Sequence, residues 1–104
     1  MQERKAIIAA AVRTPFGAYF GALSKVRPDD LLAFTISELV KKVPKLKLEL
    51  IDDVIMGDSN GAGEDNRNVA RMSSLLAGLP VTIPGLTVNR LCGSGAEAIV
   101  QASR

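Results

Sequence analysis

The stretch Thr87-Val88-Asn89-Arg90-Leu91-Cys92-Gly93-Ser94-Gly95-Ala96-Glu97-Ala98-Ile99-Val100-Gln101-Ala102-Ser103-Arg104 decides the fold class, because it holds a strand, a turn and a helix in that order. Leu86, Val88 and Leu91 are strand-type residues behind the Pro84-Gly85 breaker, and Ala96 to Ala102 is a helix-favouring run opened by two glycines. Cys92, the one cysteine, falls at the junction. The first N–H groups of a helix lack partners within it and carry roughly half a positive charge, so a sulfur held there is favoured as thiolate over thiol. Gly93 and Gly95 clear side chains from the approach to that sulfur, and an N–H of the same turn can face a carbonyl oxygen as it becomes an oxyanion.

Three other readings of these residues compete. A lone cysteine can be a small buried hydrophobe. Ser94-Gly95-Ala96-Glu97 fits the Ser-x-x-Glu capping box, a plain helix start. Gly93-Ser94-Gly95-Ala96-Glu97-Ala98 fits G-x-G-x-x-A, which lays a pyrophosphate on a helix N-terminus and would make the chain a nucleotide-binding module. That fingerprint ordinarily occupies the first strand–helix turn of a domain, and here it would be the third.

Upstream, the same alternation repeats. Ala6 to Val12 is an apolar run closed by Arg13, too short for a secretory signal, and is expected as a buried first strand. Phe16, Tyr19, Phe20 and Leu23 then lie in a glycine-containing loop whose aromatics are expected to pack on the sheet edge. Pro28-Asp29-Asp30 opens a helix with acids at its positive end; Leu32, Ile36, Leu39, Val40 and Val43 form its apolar stripe, and Lys41-Lys42 and Pro44 close it. Lys45 to Leu50 reads as a connection to a second strand, Val54 to Met56. Gly57 to Asn68 is a loop rich in capping residues, and Val69, Met72, Leu75 and Leu76 recur at helical spacing before the Gly78 and Pro80 stop. The predicted order is βαβαβα, an α/β fold with a mostly parallel sheet and helices on its faces.

Composition narrows the function classes. The 104 residues are 47% hydrophobic and 23% charged, with a net charge of +2, which fits at most one domain and, with no basic cluster, gives no electrostatic footprint for nucleic acid. One cysteine excludes an internal disulfide, and the lack of any histidine argues against a zinc site, so no metal is expected and a reducing, cytoplasmic setting fits. No stretch reaches the roughly eighteen apolar residues of a membrane span.

Val88-Asn89-Arg90-Leu91-Cys92-Gly93-Ser94-Gly95 followed by Glu97-Ala98-Ile99 closely resembles the acyl-enzyme signature of the thiolases, the acyltransferases that make or break the carbon–carbon bond of 3-oxoacyl-CoA thioesters. Arg13-Thr14-Pro15-Phe16-Gly17 resembles that family's first-loop motif, Asp53-Val54-Ile55-Met56-Gly57 its second strand, and Asn68-Val69-Ala70-Arg71 with Ala77-Gly78-Leu79-Pro80 its second helix and exit. The Glu64-to-Arg71 run is similar to members that cleave 3-oxoadipyl-CoA, with a departure at Gly61, where they often carry glutamine.

The resemblance implies that Cys92 is the acyl-thioester nucleophile and that CoA thioesters are substrates, coenzyme A itself being a substrate and no cofactor being needed. It implies a role in acyl-CoA and fatty acid metabolism and a homodimer or homotetramer. Thiolases are much longer than this chain, and their histidine, second-cysteine and asparagine motifs have no counterpart here. Residues 1–104 are therefore expected to be an incomplete N-terminal domain that is inactive alone, with self-association through exposed sheet surface as the non-catalytic alternative.

Overall fold

The computed structural model describes residues 3–104. Helix α1, Pro28–Lys41, starts and stops where the sequence places its signals: a proline at its start, Asp29 and Asp30 in the first turn, and Lys41 in the last. A 3₁₀ turn at Leu48–Leu50 leads into strand β1, Val54–Gly57. A second 3₁₀ turn at Gly63–Asp65 lies within the next loop, before helix α2, Val69–Leu76. Strand β2, Gly85–Val88, and helix α3, Ser94–Ala102, follow.

The two strands pair in parallel, Val54 opposite Gly85 and Gly57 opposite Val88, with α2 as the crossover. Side chains alternate across a strand. Val54 and Met56 join the core with Ile36, Ala70, Leu79 and Ile83, while the Cα of Gly57 faces the start of α3. Helices α2 and α3 thus cover opposite faces of the sheet, and α1 packs against α2. The expected α/β class with a parallel sheet and helices on both faces is what forms.

Three local expectations are corrected. Ala6–Val12 is not a strand: Ile7 and Ile8 are exposed, and the segment forms no ladder, its tie being a hydrogen bond donated by Lys42 Nζ to the Ala11 carbonyl (3.1 Å). An unbroken apolar run reads as a strand covered on both faces. Here it borders a cavity of about 480 Å³ shared with Val40, Ile51, Ile55 and Ile99, and among the described residues no second layer closes over it.

The aromatics of the following loop do not pack on the sheet edge. Phe16, Tyr19 and Phe20 are exposed, and the Tyr19 and Phe20 rings meet each other in a tilted contact, their centroids 4.4 Å apart and their planes at 58°.

Helix α2 buries Val69, Ala70, Ser73 and Ser74, while Met72, Leu75 and Leu76 are exposed, so the face expected from apolar spacing is not the buried one. The cause is a close approach. A Cβ on Gly85 would lie 2.6 Å from the Arg71 nitrogen, and at that separation only small side chains fit between helix and strand.

Asn68 fixes this contact. Its Oδ1 accepts from the Arg71 N–H (3.3 Å) and the Thr87 hydroxyl (2.8 Å), its Nδ2 donates to the Gly85 carbonyl (3.1 Å), and Thr87 Oγ1 in turn accepts from the Ala70 N–H (3.1 Å). Asn68→Ala removes a helix cap and leaves part-buried partners unmet. It is expected to cost about 2 kcal/mol in chemical denaturation, whereas a loss below about 0.5 kcal/mol, typical of surface changes, would contradict this role.

Candidate active site

Strand β2 ends at Val88, and five residues carry the chain into α3. Asn89 Oδ1 accepts from the Leu91 N–H (2.9 Å), which bends the chain directly after the strand. Leu91 then adopts φ +49°, a left-handed conformation that costs a branched residue roughly 1–2 kcal/mol. The Gly93 and Ser94 N–H groups close back on the carbonyls of Arg90 (3.0 Å) and Leu91 (3.1 Å). Cys92 stands at the outer side of this turn, exposed, two residues ahead of the first residue of α3.

The Glu97 N–H bonds the Gly93 carbonyl (3.0 Å), and among the described residues the N–H groups of Gly95 and Ala96 meet no acceptor. The positive end of α3, two residues along the chain from Cys92, therefore keeps unpaired donors. A Cβ on Gly95 would meet open space.

The competing readings fare differently. Cys92 is not a buried hydrophobe. The capping box does not form: Ser94 lies inside the helix, its Oγ donates to the Leu91 carbonyl (2.6 Å) and accepts from the Arg90 N–H (2.9 Å), and Glu97 pairs with Arg90 (3.1 Å). The sequence pattern Ser-x-x-Glu could not distinguish the two, because the chain turns one residue earlier than a capping serine requires. The glycine fingerprint does sit on a strand–turn–helix with Ala98 buried.

Sequence reasoning gave Gly57 no part in this site. Its position on β1 faces the turn so closely that a Cβ there would lie 2.2 Å from the Ser94 carbonyl carbon and 2.4 Å from the Gly95 nitrogen. A glycine ending a strand was the available signal.

The loop from Asp58 to Asn68 borders the turn, with Asn89 Nδ2 donating to the Ser59 carbonyl (3.3 Å). Asn66 and Arg67 both have positive φ, +57° and +62°. Asn66 Nδ2 donates to Asp29 Oδ2 (3.1 Å), and Arg27 grips the same buried carboxylate through Nε and Nη2 at 3.1 Å each. The Arg27 guanidinium holds Asp29 below the usual carboxylate range.

Asp65 moves the other way. Burial and the neighbouring Asp58 carboxyl push it up to about 6. The folded protein binds this proton more tightly than the unfolded chain does, so Asp65 makes stability fall as the pH rises from about 4 to about 6, and the penalty is complete above that. Asp65→Asn is expected to raise the melting temperature at about pH 7.5 and to leave it nearly unchanged at about pH 4. An equal shift at both pH values would contradict this.

Comparison with known proteins adds to this geometry. Residues 6–104 match the family model described as "Thiolase, N-terminal domain". The 3-oxoadipyl-CoA/3-oxo-5,6-dehydrosuberyl-CoA thiolase of Escherichia coli is 58% identical over 101 residues, covering 97% of this chain and 25% of that protein. The beta-ketoadipyl-CoA thiolase of Pseudomonas aeruginosa is 54% identical over 102 residues, again with 25% of its length covered. The crystal structure of the Bacillus anthracis acetyl-CoA acetyltransferase superposes with a TM-score of 0.87 at 38% identity, covering 95% of this chain and 25% of that one. The chain thus spans about a quarter of the length of the curated relatives it matches.

Proposed function

Since this chain belongs to the thiolase family, we propose that it is the N-terminal part of an acyl-CoA acyltransferase whose nucleophile is Cys92. In the degradative direction the Cys92 thiolate attacks the 3-oxo carbon of a 3-oxoacyl-CoA. The bond between C2 and C3 breaks, its electron pair leaves on C2 as the enolate of acetyl-CoA, and an acid protonates that carbon. The acyl group stays on Cys92 as a thioester, which the thiol of free CoA accepts. In reverse, acetyl-CoA acetylates Cys92 with loss of CoA, a base takes a C2 proton from a second acetyl-CoA, and the resulting enolate attacks the acetyl carbon, breaking its bond to sulfur and releasing the Cys92 thiolate with acetoacetyl-CoA.

The observation that carries this reading is the exposed sulfur on the turn ahead of α3, a helix whose Gly95 and Ala96 N–H groups meet no acceptor among the described residues. Charge develops on a carbonyl oxygen in both half-reactions, and oriented backbone donors stabilise it without reorganising. A cysteine nucleophile also needs a base and a second proton carrier. This chain holds no histidine, and we assign those groups to the rest of a full-length enzyme.

CoA is a substrate in this scheme, and the chemistry needs neither metal nor prosthetic group. The names of the Escherichia coli and Pseudomonas aeruginosa relatives favour a 3-oxoacyl chain ending in a second carboxylate. A cytoplasmic setting fits the single free thiol, and a homo-oligomer is the assembly that the family resemblance implies. No helix among the described residues is long and apolar enough to cross a membrane.

The test is turnover by a full-length protein carrying this chain. It is expected to consume 3-oxoadipyl-CoA or acetoacetyl-CoA only when CoA is present, releasing one acetyl-CoA and one four-carbon acyl-CoA from the first and two acetyl-CoA from the second. Failure on both, in both directions, would overturn the proposal.

A further inference from the structure

We propose that Ser94 is the positioning residue for Cys92, a role that rests on Cys92 being the acyl acceptor. Three features of the turn converge on its side chain. Ser94 is 4% exposed, although it lies in the first turn of a helix whose next two residues are exposed. Its hydroxyl uses donor and acceptor at once, giving its proton to the Leu91 carbonyl at 2.6 Å and taking that of the Arg90 N–H at 2.9 Å. These two groups flank Leu91, the one residue of the turn with positive φ. A branched side chain does not hold a left-handed backbone unaided, and persists there only where its surroundings over-determine it.

The hydroxyl supplies that constraint one residue before the sulfur. The Ser94 backbone is itself seated against β1, where the missing Cβ of Gly57 leaves room for its carbonyl group. The sulfur's direction is thereby referred to the sheet through a single buried side chain. Glu97, held by Arg90 at 3.1 Å and hydrogen bonded to Gln101 Nε2 at 3.2 Å, braces the same turn from the outside. Ser94 touches no substrate in this scheme; it fixes where the thiolate points.

Positioning and reactivity are separable by experiment. An acyl group on bound CoA must meet the sulfur along one trajectory, whereas a small untethered alkylating agent can approach from many. In a full-length enzyme, Ser94→Ala is expected to lower kcat by about 10²-fold with KM little changed. Iodoacetamide labelling of Cys92 at fixed pH, followed on its own peptide by mass spectrometry, is expected to change by less than about 3-fold, because uncatalysed alkylation needs no defined angle. Ser94→Thr, which keeps the hydroxyl, is expected to recover most of the lost kcat.

An unchanged kcat in Ser94→Ala would overturn the proposal. So would a parallel fall in kcat, labelling and melting temperature that Ser94→Thr does not rescue, since that is a folding defect. If Cys92→Ala instead retains turnover, the acyl-acceptor reading fails on its own, whatever the Ser94 variants do.

Discussion

Cys92→Ala in a full-length enzyme is expected to lower both thiolysis and condensation by on the order of 10⁴-fold or more while shifting stability by no more than about 0.5 kcal/mol. The two halves of this expectation come from the same turn. The side chain is exposed, so replacing it opens no cavity in the core of Ile36, Val54, Ala70, Leu79 and Ile83. The hydrogen bonds that shape the turn run between Asn89, Arg90, Leu91, Gly93 and Ser94, and none uses the sulfur. What disappears is the atom proposed to carry the acyl group, and on that proposal the reaction is left with no covalent intermediate to divide the barrier. Steady-state rates and a thermal melt check both halves. A variant that loses activity together with its fold would point to a structural cysteine, and one that keeps its activity would remove Cys92 from the chemistry.

Gly57→Ala is the second large effect, and it acts from the neighbouring strand. The added methyl would fall 2.2 Å from the Ser94 carbonyl carbon and 2.3 Å from its oxygen. Both are backbone atoms of the first turn of α3, so no side chain can swing aside to relieve the contact, and helix and strand must separate. Overpacking of this kind costs roughly 1–3 kcal/mol, and the turn carrying Cys92 is the part that moves. A displacement of about 1 Å at a nucleophile can cost about 10²-fold in rate, so kcat per folded enzyme is expected to fall by about that factor although the protein stays folded. Denaturant titration with steady-state kinetics checks this. A variant with wild-type kcat would show that the approach of β1 to α3 does not set the sulfur's position.

Gly57 also shows where the sequence stopped being legible. A glycine closing a short strand is visible in the chain, yet the backbone it admits lies 37 residues further on, and no local pattern connects the two. Helix α1 was the opposite case. Its proline, its first-turn acids, its terminal lysines and its apolar stripe are all local, and its observed bounds agree with them.

Helix α2 falls between these. Its position follows from Asn68 and Gly78, but its orientation does not. Apolar spacing favours Val69, Met72, Leu75 and Leu76, and the tight seat against Gly85 turns Ala70, Ser73 and Ser74 inward instead. The run Ala6 to Val12 carries a strand's composition without a strand's partners, and pairing is a property of neighbours rather than of the run itself.

At the candidate site, the strand–turn–helix and the place of Cys92 ahead of the helix were legible from Pro84-Gly85, the strand residues and the paired glycines. The left-handed Leu91 was not, since nothing in its identity favours positive φ. Nor was the use of Ser94, whose spacing to Glu97 imitates a capping box while its hydroxyl bonds backward into the turn.

The most direct test is to mix a full-length enzyme with acetyl-CoA alone, quench in acid and sequence its peptides by mass spectrometry. One acetyl group is expected on the peptide spanning Cys92, on its sulfur, and it is expected to vanish when CoA is added before the quench. Acetylation at another residue, or none on an enzyme that turns over, would contradict the assignment of Cys92 as the atom that holds the acyl group.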